Sequence, residues 1–326
     1  MDSARPKIIQ LAYGEAALAG YLSLREYFEH LAIIVPPGKN SLTPVEEAAN
    51  KDGVDIKRVS SIASVISLIE ERVPDLVVVC SFDRVLPEKL LKVIPFFNVH
   101  YAPLPRYRGR ATVNWAIING EKTFAACIHR IVPDLDAGDV FFKGEIIIEE
   151  RDRIRDVYDK LNDVIRKNLG CIVLEAYQGK ISPVRLDDNI VPTYCCTRLP
   201  EDGCIDWHKS TAEVDRLIRA VGHPFPGAFT YLNGKKMFIW KARPVPNPQI
   251  YEGRVPGRIV NVIRGKGVEV LTGDGVLLIE NVEIEDAGVH IASDLIKSVK
   301  ITLGFSVVEV QEKLREIEKM LQNNKK

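Results

Sequence analysis

Asn98 and His100 stand one residue apart at the end of the apolar run FFNVH, and a carboxylate, Asp136, follows in the turn-like PDLDAGD. Successive side chains of a strand alternate between faces, so a strand ending at residue 100 aims the amide and the imidazole at the same place. Asp136 is far enough along the chain to return beside them. The three groups suit acyl transfer. An amide donates a hydrogen bond to the oxyanion that develops on a carbonyl under attack. An imidazole moves a proton between the attacking nitrogen and the leaving group. A carboxylate orients that imidazole and raises its pKa toward the working pH. The same Asn-x-His spacing also fits a strand-end hydrogen-bonding pair without chemistry, and spacing alone does not choose between them.

The elements that must position these residues fall into two domains. KIIQLAY, LAIIV and DLVVVC are short, nearly continuous apolar runs, as expected of strands buried on both faces. Helical periodicity lies between and after them at residues 16–30, 44–51 and 62–72; in the last, Ile62, Val65, Ile66 and Ile69 share one face. Crossovers of this length predict an α/β, doubly wound, Rossmann-like parallel sheet, whose strand carboxyl ends are where such folds bind ligands. Strands at 96–100, 124–132 and 140–149, a short helix at 112–119 and a long one at 153–177 complete a catalytic domain assigned to residues 1–188. Residues 189–210 read as a linker across the surface. From 211 to 326, after a helix at 211–221, short alternating runs and turn signals such as Asn233-Gly234 and Gly273-Asp274-Gly275 predict a small open, OB-like β-barrel of about five strands. The tail, 307–320, reads as an amphipathic helix expected to pack on that barrel.

Composition narrows the functional classes. Hydrophobic residues make up 46% and charged residues 27%, as in ordinary folded proteins, and 326 residues accommodate a large and a small core. Lys+Arg and Asp+Glu are equal at 44 each, which gives no general attraction to nucleic acid or anionic membrane. No apolar run is long enough for a signal-peptide core or a membrane span. The six cysteines show no CxxC spacing. A reduced, cytoplasmic protein without a membrane partner is therefore expected. No His/Cys/Asp grouping has zinc spacing, so no metal is expected. GxGxxG is absent after the first strand, which disfavours NAD.

The stretch from 97 to 140 resembles the signature of the 10-formyltetrahydrofolate-dependent formyltransferases. Their pattern runs Asn-x-His-x-Ser-Leu-Leu-Pro-x-Tyr-Arg-Gly, then Asp-x-Gly-Asp. This chain reads Asn98-Val99-His100, Leu104-Pro105-Arg106-Tyr107-Arg108-Gly109 and Asp136-Ala137-Gly138-Asp139. The likeness continues through RLPEDGCIDWH and IRAVGHPFPGAFTY into the barrel. By position, the resemblance implies that Asn98 stabilises the tetrahedral intermediate, His100 shuttles the proton and Asp136 keeps that histidine basic and ordered. It also implies that the folate donor lies against Arg84, Val85 and Leu86, the turn Ala102, Pro103, Leu104, Pro105, and the loop Val132, Pro133, Asp134, Leu135, Asp136. Two departures stand out. Ala102 and Pro103 replace the family's Ser-Leu, and Tyr13-Gly14-Glu15 replaces its early Gly-Thr-Pro.

The resemblance allows two acceptor classes, amino sugars on nucleotides and charged initiator tRNA. RYRGRATVNWAIINGE and IHRIVPDLDAGDV are closer to the sugar-nucleotide members, such as those acting on UDP-4-amino-4-deoxy-L-arabinose. The tRNA enzymes carry a basic loop after the second strand, where this chain has PPGKNSLTP with Lys39 alone. The barrel's Lys235, Lys236, Lys241, Arg243, Arg254, Arg258, Arg264 and Lys266 read as a solvated face, although tRNA recognition would need such residues. A nucleotide-linked amino sugar is the expected acceptor, with tRNA as the alternative and a folate-binding relative without catalysis as the reading outside the enzymes. Arg108 and Arg110 are candidates for an acceptor phosphate, against a structural ion pair for Arg108. His129 reads as a satisfied or exposed strand histidine. A homodimer is compatible with the pattern but not required by it.

Overall fold

The computed structural model describes residues 4–38, 41–59, 61–82, 84–187, 189–284, 288–305 and 307–323. Lys39 and the boundary residue Asp188, both used above, lie outside them. Contacts divide the chain into two units, residues 1–116 with 121–197 and residues 117–120 with 198–326.

In the first unit, β1 (Lys7–Ala12), α1 (Ala16–Leu24), β2 (Glu29–Val35), α2 (Pro44–Lys51), β3 (Ile56–Arg58), α3 (Ile62–Arg72) and β4 (Leu76–Cys80) alternate as the apolar runs require. They are followed by α4 (Glu88–Leu91), β5 (Phe96–His100), β6 (Arg108–Gly109), α5 (Thr112–Asn119), β7 (Thr123–Arg130), β8 (Val140–Ile147), α6 (Ile154–Tyr177) and β9 (Tyr194–Cys195). Seven strands form one sheet in the order β3-β2-β1-β4-β5-β7-β8. The first five are parallel, whereas β7 runs antiparallel to β5 and β8 antiparallel to β7. The sheet is thus parallel across the doubly wound strands, as expected, and becomes mixed at β7 and β8, whose link is too short for a crossover.

Helix ends follow local chemistry. The Thr43 side chain accepts from the Glu46 amide while Glu46 reaches back to the Thr43 amide, a reciprocal cap that starts α2. Ser61 caps α3, and that helix buries Val65 and Ile69 against Ile9, Leu11, Val77 and Val79 of the sheet. The first helix stops at Leu24 rather than residue 30, because Glu29 and His30 pair with β1. In α6, Ile154, Val157, Leu161, Ile165, Leu169 and Val173 recur every three or four residues and are all buried. At roughly 1.5–3 kcal/mol per fully buried large aliphatic side chain, this face is a major anchor of the unit.

The second unit begins with a short 3₁₀ turn at Pro200–Gly203 and α7 (Thr211–Ala220), capped reciprocally by Ser210 and Glu213. It continues with β10 (Ala228–Leu232), β11 (Lys235–Pro244), β12 (Ile259–Ile263), β13 (Gly267–Leu271), β14 (Val276–Ile284), β15 (Gly288–Ile291) and α8 (Ala292–Leu295). The antiparallel sheet runs β10-β11-β14-β13-β12, with β15 as a sixth strand on β14. In β11, Met237 and Ile239 are buried two residues apart, and an irregularity in the register at Lys241 then brings Ala242 inward. The final helix, α9 (Val307–Asn323), differs from expectation. Val310, Leu314, Ile317 and Met320 are exposed, so these described apolar residues do not pack on the barrel. Among the described residues, no helix is long and apolar enough to cross a membrane.

Candidate active site

β4 and β5 end side by side, with Val79 beside Asn98 and Cys80 beside Val99. On the other side of β5, the antiparallel register sets Asn98 opposite His129 and His100 opposite Cys127. Cross-strand partners share a face. One sheet face therefore carries the amide and two imidazoles.

Their hydrogen bonds define protonation. His129 Nδ1 lies 2.8 Å from the carbonyl of Arg130, so that nitrogen carries the hydrogen and donates it. His129 Nε2 is then an acceptor, and it receives Asn98 Nδ2 at 3.0 Å. Burial, reinforced by His100 and opposed by Asp136, pushes the His129 imidazole from its ordinary value down to about 4. It is neutral near pH 7. His100 Nε2 lies 2.9 Å from the carbonyl of Tyr107, which requires the hydrogen on Nε2 and leaves Nδ1 as the lone-pair nitrogen. That Nδ1 makes no hydrogen bond among the described residues.

Asp136 sits between the two rings. Its Oδ2 is 3.8 Å from His100 Nε2, and its Oδ1 is 3.8 Å from His129 Nε2. These separations exceed hydrogen-bond range, so the carboxylate acts on both rings by charge. The Gly109 amide holds it, donating to Oδ2 at 2.8 Å. Asp136 adopts φ 47°, the left-handed conformation that Asp tolerates better than most residues, and this turns the loop back on β5. Two glycines of the motif are required by space. A Cβ on Gly138 would lie 1.8 Å from the Arg130 carbonyl, and one on Gly109, at φ +99°, 2.8 Å from that of Cys195.

A cavity of about 560 Å³ opens over Asn98, His100 and His129. Arg84, Val85 and Leu86 line it together with Val132, Pro133, Asp134, Leu135 and Asp136, all expected from the sequence. Val85 is 83% exposed and Leu135 57%, so the mouth keeps apolar side chains uncovered, as a flat ring would need. The turn at Ala102, Pro103, Leu104 and Pro105 does not line the cavity. Ala102 is fully buried, its carbonyl taking the Cys127 thiol, and the turn supports His100 from behind. Arg110 lines the cavity but Arg108 does not; its guanidinium is buried 3.4 Å from the Tyr194 hydroxyl. The sequence reading missed His129 as a member of the site, and with it Phe82, Cys195, Cys196 and Thr197 in the lining. Among the described residues, no group of three or more His, Cys, Asp or Glu could hold a metal ion.

Residues 38–170 match the family model described as formyl transferase, and residues 199–300 match the formyl transferase C-terminal domain. HypX from Aquifex aeolicus, solved in complex with tetrahydrofolic acid, is similar over 90% of this chain at 18% identity and a TM-score of 0.65. The chain spans 47% of that HypX, about half its length. The sugar 3N-formyl transferase WlaRD, solved with dTDP and 5-N-formyl-THF, is similar over 88% of this chain and all of its own, with 16% identity and a TM-score of 0.60. The methionyl-tRNA formyltransferase of Clostridium thermocellum is similar over 82% of this chain and 100% of its own, with 15% identity and a TM-score of 0.55. At these identities the structural likeness speaks to the fold.

Proposed function

Because the chain belongs to the formyl transferase family, carrying both of its domains, we propose that it moves a formyl group from 10-formyltetrahydrofolate to the amine of a nucleotide-linked amino sugar. The observation that carries this reading is the convergence of Asn98, His100, whose Nδ1 makes no hydrogen bond among the described residues, and Asp136 at one cavity. The pterin fits the slot between Val85–Leu86 and Val132–Leu135, where apolar side chains flank backbone donors and acceptors.

In this reading Asn98 donates to the formyl oxygen as negative charge develops there. His100 accepts the proton of the attacking amine at Nδ1 and returns it to the departing folate nitrogen. The Tyr107 carbonyl and Asp136 fix the ring and favour its transient positive charge. A second cavity of about 560 Å³ lies at the ends of β1 and β2, where Glu15, Arg155, Asn162 and Arg166 offer polar contacts to a hydroxylated acceptor.

Charge supports a sugar over tRNA. Lys241 and Arg243 approach Glu280, Arg254 donates to the carbonyls of Thr272 and Gly275, and Arg258 donates to Thr302. Such residues are spent within the barrel instead of forming an open stripe for phosphates. The test offers the full chain 10-formyltetrahydrofolate with UDP- and dTDP-linked amino sugars, and in parallel initiator methionyl-tRNA. Tetrahydrofolate release with a sugar is the expected outcome. Turnover with tRNA alone would overturn the acceptor; no turnover with either would overturn the proposal.

A further inference from the structure

The strand face beneath the cavity holds a second imidazole that the Asn98–His100–Asp136 mechanism does not use. His129 lines the cavity but is only 2% exposed, and both of its ring nitrogens are engaged by the protein, so it offers a substrate no free polar atom. Its position is nonetheless fixed with care. The Arg130 carbonyl commits Nδ1 to carrying the hydrogen, so the only atom His129 offers to its neighbour is a lone pair on Nε2. An asparagine amide has an acceptor end and a donor end. Facing a lone pair, Asn98 must present its NH2 group, and the 3.0 Å contact is to Nδ2.

That contact uses one of two amide hydrogens. The other stays on the same nitrogen, and Asn98, which lines the cavity, makes no second side-chain hydrogen bond among the described residues. We propose that His129 is a positioning residue for formyl transfer, its neutral Nδ1–H tautomer turning the Asn98 amide so that a free N–H meets the developing oxyanion. The proposal rests on the formyl-transfer reading of the same cavity.

The arrangement has a built-in failure mode. A hydrogen on Nε2 would meet the Asn98 NH2 group donor to donor, and the amide would relax by rotating its oxygen toward His129. The oxyanion would then lose its donor although no residue had changed. The groups facing His129 are Asn98 and His100 on β5, Asp136 in the loop after β7, Arg108 on β6 and the Arg130 carbonyl. Asp136 alone favours protonation by charge; burial, His100 and Arg108 oppose it. The neutral form thus has several supports.

The test is a double-mutant cycle on the full chain, using 10-formyltetrahydrofolate and the acceptor found by the sugar and tRNA panel. His129→Phe keeps a buried ring without an acceptor, and should lower kcat about 10–100-fold, somewhat less than outright loss of an oxyanion donor. The KM for the folate should change less than about threefold, because the interaction is made in the transition state. In an Asn98→Ala background the same substitution should cost less than about threefold, because no amide remains to be aimed. His129→Gln can return an acceptor oxygen to Asn98 and should recover much of the rate. A full repeat of the loss in the Asn98→Ala background would overturn the proposal. If His129→Phe fails to fold, ¹⁵N-histidine NMR of the unmodified chain decides: a neutral Nδ1–H ring near pH 7 supports it, and an Nε2–H ring or an imidazolium overturns it. The spectrum needs no turnover, so a chain that formylates nothing would sink the functional reading and leave this arrangement separately measurable.

Discussion

Two histidines are pushed down to about 4 by burial, at opposite ends of the same sheet, and only one lines the cavity proposed for formyl transfer. His30 sits at the amino end of β2, where its Nε2 meets Gln10 Oε1 at 3.2 Å and Gln10 Nε2 passes the bond on to the Ala17 carbonyl. Beside it, Tyr21 and Arg25 both donate to Asp52. Each of these polar groups is answered by another part of the protein. At the carboxyl ends of β4 and β5, His129 is equally satisfied, but the chain of bonds ends at atoms left open: the second amide hydrogen of Asn98 and Nδ1 of His100. A perturbed imidazole alone does not identify function here. What sets the proposed site apart is that its cavity-lining residues keep unspent donors and acceptors.

The largest expected effect lies at the open atoms. His100→Ala should cut kcat by about 10³-fold or more, within the range that a positioned acid–base group contributes. Asp136→Ala should cost about 10²–10³-fold, because it removes both the charge near His100 and the partner of the Gly109 amide. Steady-state kinetics beside a thermal melt would separate these losses from unfolding. His30→Phe, which keeps an aromatic ring at 5 Å from Tyr21, should leave kcat within about twofold. Equal losses at His30 and His100 would break the contrast between the two clusters.

Acid stability gives the second cluster its own readout. Both His30 and His129 have folded pKa values lowered to about 4, below the ordinary value of 6.5. Between those values the unfolded chain binds more protons than the folded one, so stability falls as pH drops from about 6.5 to about 4. Below that the contribution is already lost and the curve flattens. For His30 a shift of this size corresponds to roughly 3 kcal/mol. Urea unfolding at a series of pH values should therefore show a shallower acid decline in His30→Phe than in the unmodified chain. An unchanged slope would mean that His30 charges in the folded protein at little cost.

Much of this architecture was legible because it depends on local pattern. The apolar runs gave the strand interiors, and α2, α3 and α5 span the residues read from the sequence, with side-chain caps at Thr43 and Ser61 starting the first two. Asn98 and His100 were readable from strand position, with Asp136 in the turn that returns beside them, while the walls at 84–86 and 132–136 came from the family resemblance. What escaped depends on pairing across distance. His129 becomes part of the site only through the antiparallel register that sets it opposite Asn98, a contact 31 residues away in sequence. The two-residue strands β6 and β9, which bring Cys195 and Cys196 to the cavity, are too short to carry a period. The tail helix shows the opposite failure: its apolar stripe is plain in the sequence, but a stripe does not say what covers it.

The same distinction between spent and open groups extends to the cations, where the smallest effects are expected. Arg110 is exposed and lines the cavity, with its guanidinium available to an acceptor phosphate. Arg110→Ala should raise the acceptor KM about tenfold at nearly constant kcat, the signature of binding energy used equally in ground and transition states. Lys241, 3.4 Å from Glu280 on the barrel, is 56% exposed and already engaged. Lys241→Ala should change kcat/KM less than about twofold, since exposed pairs contribute little to stability and a sugar acceptor would make no use of this one. If the order were reversed, with Lys241 essential and the rate falling steeply with added salt, the barrel's cations would be contacting phosphates after all. The acceptor would then be a nucleic acid, and the barrel, not the cavity rim, would be the surface that selects it.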